Sequence, residues 1–178
     1  MTYLLTLPSP IGPLTAASDG ELLVGLWMEG QQYFMSSVKD EEIIRCEWTQ
    51  SESEASCLIP LFDSVRQWLD RYFTGQRPDP RELPLTPRGS TFRHVVWQHL
   101  LDIPYGTTIS YGELSRRVAL SLNKPHMSAQ AIGGAVGHNP ISIIIPCHRV
   151  IGADGSLTGY AGGVDRKRWL LELETNTR

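Results

Sequence analysis

Cys147 and His148 stand side by side, flanked by Pro146 and by Arg149-Val150. A cysteine attacks as its thiolate, and with an unperturbed pKa near 8.5 only about 3% of a free thiol is ionised at neutral pH. An imidazole and a guanidinium next to it both favour the ionised form. In extended backbone, neighbouring side chains project to opposite sides, so His148 is expected to reach the Cys147 sulfur through a bridging water rather than directly. A base used in this way needs another group to orient its imidazole. Asp154, Asp165, Glu172 and Glu174 are the acidic candidates, and spacing does not choose among them. A buried cysteine beside a core histidine accounts for the dipeptide equally well, so the elements around it have to decide.

The run Ile141-Ser142-Ile143-Ile144-Ile145 reads as a short buried strand that delivers the cysteine at its end. Before it, Ser128 to His138 has helical character yet contains three glycines, Gly133, Gly134 and Gly137. Each weakens a helix interior by roughly 1 kcal/mol against alanine, so something must approach this backbone closely: a packed neighbouring helix, or a nucleic-acid groove. A helix beginning near Tyr111, with Leu114 and Val118 inward, precedes it, and the two form a helix-turn-helix arrangement. Further upstream, Thr91 caps a helix with Phe92, Val95, Val96, Leu100 and Leu101 on its apolar face, ended by the Ile103-Pro104-Tyr105-Gly106 turn.

The first half reads differently. Tyr3 to Leu7, Leu14 to Ser18 and Leu22 to Trp27 are β-favouring segments separated by Pro/Gly and Asp-Gly turns, which predicts a small antiparallel sheet. After the polar stretch Gln50 to Ser56, Leu58, Leu61, Phe62, Val65, Trp68, Leu69 and Tyr72 recur at helical spacing, ending near Gly75. Pro78, Pro80, Pro84 and Pro87 then mark a linker. The expected organisation is therefore an α+β chain: residues 1–76 a small sheet plus helix, 77–90 a linker, and 91–178 a helical domain with a short active-site strand.

Composition narrows the function classes. The net charge of −3 argues against a general nucleic-acid binder, but residues 1–90 carry seven basic and thirteen acidic side chains and residues 91–178 carry nine and six, so a polyanion should meet the second half. The three cysteines, Cys46, Cys57 and Cys147, show neither a CxxC pair nor a run of histidine ligands, so no zinc site or disulfide framework is legible. Reduced thiols are expected, with Cys46 and Cys57 structural. With no long apolar span and no secretory leader in view, a cytoplasmic location away from membranes is the expectation.

Pro146-Cys147-His148-Arg149-Val150 resembles the signature of the O6-alkylguanine-DNA alkyltransferases, the methylated-DNA--protein-cysteine methyltransferases. Ile103-Pro104-Tyr105-Gly106, Ser110-Tyr111-Gly112, Ala131-Ile132-Gly133-Gly134-Ala135, Asn139-Pro140-Ile141, Thr158-Gly159-Tyr160-Ala161-Gly162-Gly163 and Lys167-Arg168-Trp169-Leu170-Leu171-Glu172-Leu173-Glu174 follow in the family's order. The close resemblance covers about residues 91–174; earlier it is confined to Ser9-Pro10-Ile11-Gly12-Pro13-Leu14 and the strand-then-helix layout. It implies stoichiometric DNA repair, in which Cys147 takes the alkyl group from O6-alkylguanine and is not regenerated. O4-alkylthymine is left open as a second substrate. By the same resemblance His148 is the water-linked base, Glu174 the carboxylate behind it, and Asn139 the hinge that ties the helix pair to the active-site segment.

The resemblance further implies that Tyr111 helps rotate the target nucleotide out of the stack and protonates the leaving base. The guanine is then read by the Pro146 and Val150 carbonyls, Tyr160 and the Ala161 amide. The slim helix is expected to lie in the minor groove of double-stranded DNA, with Ala129, Gln130, Ala131 and Gly133 at the interface. A monomer needing no cofactor or metal is implied, and cooperative assembly on DNA is left open. Two departures stand out. Gln130 occupies the position where most of the family has an intercalating arginine, and the loop Ser121 to Met127, with Lys124, is about five residues longer than the family's. A lesion-binding relative that does not transfer is the alternative Gln130 keeps open. A cysteine hydrolase is disfavoured because such enzymes draw their base from a distant part of the chain.

Overall fold

The computed structural model describes residues 1–47, 59–157 and 159–177. The 50–56 stretch, Cys57, Leu58 and Thr158 lie outside the described residues. The apolar alternation of the first half produces β1 (Thr2–Leu7), β2 (Leu14–Ser18) and β3 (Leu23–Met28), paired antiparallel with Leu5 opposite Ala16 and Ala16 opposite Leu26. A further strand, β4 (Ile43–Cys46), pairs parallel with β1, so the sheet order is β3-β2-β1-β4 and the sheet is mixed rather than antiparallel. Cys46, at the end of β4, is disulfide-bonded, which corrects the expectation of a reduced thiol there. An odd cysteine count is as compatible with one bridge plus one free thiol as with three thiols.

One face of the sheet, with Leu5, Leu7, Leu14, Ala16 and Leu26, joins the main core. Against it lies α1 (Pro60–Phe73), which starts with proline at a position needing no N–H and buries Leu61, Phe62, Val65, Trp68, Leu69 and Tyr72 on one stripe. Residues 77–90 are docked rather than loose. Asp79 and Glu82 form a reciprocal cap on a 3-10 turn at Pro80–Glu82, and the Trp68 indole N–H donates to the Asp79 carbonyl at 2.9 Å. Leu23 N–H donates to Pro84 O and Thr86 N–H to Leu23 O, both at 2.9 Å, so this segment lies along the outer edge of β3.

In the second half, α2 (Thr91–Leu101) is capped by Ser90, one residue before the expected Thr91. β5 (Ile109–Ser110) leads into α3 (Tyr111–Ser121), and α4 (Ala129–Gly137) follows, capped by Ser128. The Trp97 indole N–H of α2 donates to the Ala135 carbonyl of α4 at 2.8 Å, fixing the slim helix against its scaffold. β6 (Val150–Ile151) pairs parallel with β5, and α5 (Val164–Asn176) closes the chain.

The Ile141–Ile145 run is wholly buried, as expected, but it is not a strand. Only Ile141 makes a sheet contact: Leu26 N–H donates to Pro140 O and Ser142 N–H to Leu26 O, both at 2.8 Å, so this segment takes the next stretch of the same outer edge of β3. The buried Gln31 amide oxygen accepts from Met28 N–H at 2.7 Å and from the Ser142 hydroxyl at 3.1 Å, clamping the two halves at the same place. Gln31→Leu orphans both donors, and the expected loss in a urea titration is about 1–3 kcal/mol of unfolding free energy; an unchanged midpoint would show that the clamp carries no stability.

Candidate active site

Asn139 shapes the segment that carries the thiol. Its Oδ1 accepts from Ile141 N–H at 3.0 Å, while its Nδ2 donates to the Ile145 carbonyl at 2.7 Å and to Cys147 Sγ at 3.2 Å. Between these anchors the chain turns sharply. Ile144 N–H donates to Ser142 O at 2.8 Å around Ile143, whose φ of 71° is a left-handed γ-turn that a β-branched residue rarely adopts. Pro146, at φ −83° and ψ 64°, centres an inverse γ-turn closed by Cys147 N–H donating to Ile145 O at 2.8 Å. Cys147 then opens a 3-10 turn through Arg149. The side-chain direction expected from extended backbone therefore does not apply, although His148 and the sulfur still face different partners.

Behind the thiol lies a saturated carboxylate. Glu174, fully buried on α5, accepts at Oε1 from His148 Nε2 at 2.7 Å, from the Tyr72 hydroxyl at 2.7 Å and from Arg149 Nη2 at 3.0 Å. Its Oε2 accepts from Arg149 Nε at 2.9 Å and from Gly106 N–H at 3.0 Å. Gly106 reaches it from a turn with φ 72°, a backbone that favours glycine. Burial disfavours the Glu174 charge, but His148 and Arg149 outweigh it and hold the carboxyl well below the usual range. Asp154, Asp165 and Glu172, the other acidic candidates, are exposed.

Arg149 corrects an expectation. Its guanidinium donates to Glu174 and to the Ile103 carbonyl at 2.7 Å, so it serves the carboxylate and not the thiol. The cation that favours the thiolate is Lys167, fully buried one turn before Leu170 on the inner face of α5. Its Nζ donates to the Val150 carbonyl at 2.5 Å and lies 5.9 Å from the Tyr111 ring centroid and 5.8 Å from that of Tyr160. Burial pushes the Cys147 thiol above its ordinary value, against the Asn139 hydrogen bond and the Lys167 charge. Burial likewise lowers the His148 imidazole, against the pull of Glu174. Both groups therefore rest neutral, with His148 Nε2–H directed at Glu174 and Nδ1 left as an acceptor without a partner among the described residues.

Around the sulfur the structure gathers most of the expected residues. Tyr111, the first residue of α3, has its phenol pushed up to about 12 by burial and by the neighbouring Cys147. A Cβ at Gly159, where φ is 81°, would come within 3.1 Å of the Tyr111 hydroxyl, so that glycine is needed for both conformation and space. The Tyr160 hydroxyl is buried without a partner among the described residues, and Ala161 is held through its carbonyl by Gln32 N–H at 2.9 Å. The Pro146 carbonyl accepts from Arg149 N–H at 3.1 Å and that of Val150 from Lys167, each leaving a second lone pair. Ala129 and Gln130 are exposed on α4, and Ala131 and Gly133 are half-buried there, joined to the thiol through Asn139. A Cβ at Gly133, Gly134 or Gly137 would meet nothing within 4 Å, so internal packing does not explain these glycines. Tyr72 and Lys167 are the site residues that the sequence did not announce as such. A tyrosine and a lysine in phase with the buried stripes of their helices were the only signals.

The arrangement is a buried thiol held by Asn139 next in sequence to an imidazole held by Glu174, and comparison with known proteins places it. Residues 2–87 match the 6-O-methylguanine DNA methyltransferase ribonuclease-like domain, and residues 91–176 match the 6-O-methylguanine DNA methyltransferase DNA binding domain. A methylated-DNA--protein-cysteine methyltransferase of Mycobacterium tuberculosis is 44% identical over 174 residues, spanning 98% of this chain and 93% of that protein. A Haemophilus influenzae protein of the same name is 41% identical over 172 residues, spanning 97% and 86%. Among solved structures, Mycobacterium tuberculosis OGT in complex with DNA superposes with a TM-score of 0.78 at 40% identity, covering 98% of this chain and 94% of that one. With both halves matched and the thiol, imidazole and carboxylate assembled in one buried cluster, this chain belongs to the 6-O-methylguanine DNA methyltransferase family.

Proposed function

We propose that this chain repairs DNA directly, moving an alkyl group from O6 of guanine to Cys147 in a single turnover. The observation that carries the reading is the buried Cys147 thiol, fixed by Asn139, beside an imidazole whose Nδ1 is an unpartnered acceptor backed by Glu174. In the reaction Cys147 Sγ forms a bond to the alkyl carbon and the bond from that carbon to O6 breaks, its electron pair leaving with guanine. The thiol proton passes by way of water to His148 Nδ1, and Glu174 stabilises the imidazolium that results. Tyr111, whose phenol is held protonated, supplies a proton to the departing base. The thioether product is a poor leaving group, so nothing restores the thiol.

The target base has to leave the duplex to reach a buried sulfur. We read α3 and α4 as a helix-turn-helix that lays α4 in the minor groove of double-stranded DNA, through Ala129, Gln130, Ala131 and Gly133. The open space at the α4 glycines supports this, because a backbone without side chains fits a groove only about 6 Å wide. Tyr160, Ala161, Pro146 and Val150 then surround the extruded guanine, and Gln130 fills the gap it leaves in the stack. Residues 1–76 and 91–178 are read as the two units, with one chain acting per lesion. No described helix is long and apolar enough to cross a membrane, in keeping with a place of action on DNA in the cytoplasm.

Intact-mass measurement after incubation with an O6-methylguanine oligonucleotide should show one added methyl group, carried by the peptide containing Cys147 and missing from Cys147→Ser. An unaltered mass with excess substrate would overturn the proposal. Single-turnover rates should also stay level as pH falls through 6.5 and decline only at more acid values. The reason is that burial lowers the His148 pKa, so the base stays neutral and able to accept a proton below its ordinary range. A rate climbing tenfold per pH unit between 6 and 8 would point instead to a preformed thiolate acting without the base. Gln130→Arg should speed transfer from duplex more than from single-stranded oligonucleotide, because the cation adds attraction to the stack and phosphates; equal rates in both would remove Gln130 from the interface.

A further inference from the structure

We propose that Tyr72, carried by α1 in the first half of the chain, is a positioning residue for alkyl transfer: its hydroxyl fixes the carboxylate oxygen of Glu174 on which His148 is oriented. The inference rests on the function proposed above and explains a contact that the proposed chemistry does not use. Tyr72 lies 76 residues before His148 and 102 before Glu174, yet its hydroxyl donates to Glu174 Oε1 at 2.7 Å and sits 3.4 Å from His148 Nε2. Oε1 is the oxygen that also takes the His148 Nε2–H, so the two donors meet at one atom.

The ring is held as a rigid arm. It is 1% exposed, stacks on Trp68 with ring centroids 5.5 Å apart and planes 8° from parallel, and takes the edges of Phe73 and Tyr105 at 5.4 and 5.9 Å. Trp68 is itself pinned by its indole hydrogen bond to Asp79. Burial and the Glu174 charge push the Tyr72 phenol well above its ordinary value, so the hydroxyl stays protonated and a donor around neutral pH.

Two effects on the imidazole follow. With its proton committed to Glu174, the Tyr72 hydroxyl presents oxygen lone pairs toward Nε2, which favours the tautomer with hydrogen on Nε2 and the lone pair on Nδ1, the nitrogen without a partner among the described residues. The hydroxyl also draws charge from Oε1 and so tempers the carboxylate's hold on the His148 proton. The other groups facing His148 are Arg149 on its own turn, Glu174 and Lys167 on α5. Among the described residues only Tyr72 comes from the first half, which makes the relay depend on a contact between the two halves of the chain.

The test uses the full chain as Tyr72→Phe, which keeps the stacked ring and deletes the hydroxyl, beside Tyr105→Phe, which deletes a hydroxyl bound to Thr177 and not to the relay. Methyl transfer from an O6-methylguanine oligonucleotide is followed by intact mass, and the His148 imidazole is titrated separately by NMR without DNA. For Tyr72→Phe the transfer rate should fall about tenfold, the scale of one hydrogen bond to a charged group. Its acid limb and the His148 titration should both move to higher pH, because a carboxylate with one donor fewer pulls harder on the imidazolium. Tyr105→Phe should match the parent in both measurements. Parent-like rate and titration in Tyr72→Phe would overturn the proposal, as would equal slowing in both variants with unshifted titrations, which marks a structural role. A parent chain that transfers no methyl group sinks the proposed function instead, and the NMR comparison still decides whether Tyr72 governs the imidazole.

Discussion

A carboxylate removed from water must have its charge answered inside the protein, and Glu174 sets that demand for this fold. Its two oxygens receive hydrogens from α1, from the turn after α2, and from two residues of the turn that begins at Cys147. Removing one partner of a buried ion pair typically costs 3–5 kcal/mol, so Arg149 and Glu174 are as much a condition of folding as of chemistry. The elements that answer this charge are the ones that build the site. Satisfying Glu174 brings Tyr72, Gly106, His148 and Arg149 to one place, and the thiol comes with them.

The resting site holds its reactivity back. Thiol and imidazole are both neutral because burial opposes their ionisation, and the groups that favour the charged forms, Lys167 for sulfur and Glu174 for imidazole, sit on the same face of α5. A proton moved from Cys147 to His148 creates an ion pair already flanked by its stabilisers, with little rearrangement of dipoles. Asn139 holds the sulfur while this happens. The left-handed Ile143 is the local strain of that grip, kept in place by a wholly buried segment.

Much of this was legible in the sequence, and the omissions have physical causes. Helices α1 to α4 were readable from apolar period, with starts expected near Tyr111 and Ser128 and a cap one residue off at Thr91, because those signals are local. β4 was not, since its partner β1 lies some forty residues away and parallel pairing leaves no hairpin signature. The isoleucine run looked like a strand because β-branched composition reports burial as strongly as extension; the turns are imposed by the Asn139 side chain. Spacing left four acidic candidates, although Lys167, Leu170 and Glu174 share one helical face that excludes Glu172. Tyr72 was read as a core aromatic, which its ring is. Only the third dimension shows where its oxygen points.

The edge of β3 has an evolutionary consequence. A strand whose one outer edge pairs first with residues 84–86 and then with 140–142 works like a spine to which pages from different chapters are bound in succession. Separating the chapters would bare unpaired amides and carbonyls on each, the kind of raw margin that recruits foreign strands. Drift in the residues along this margin must therefore be answered on the strand that holds them.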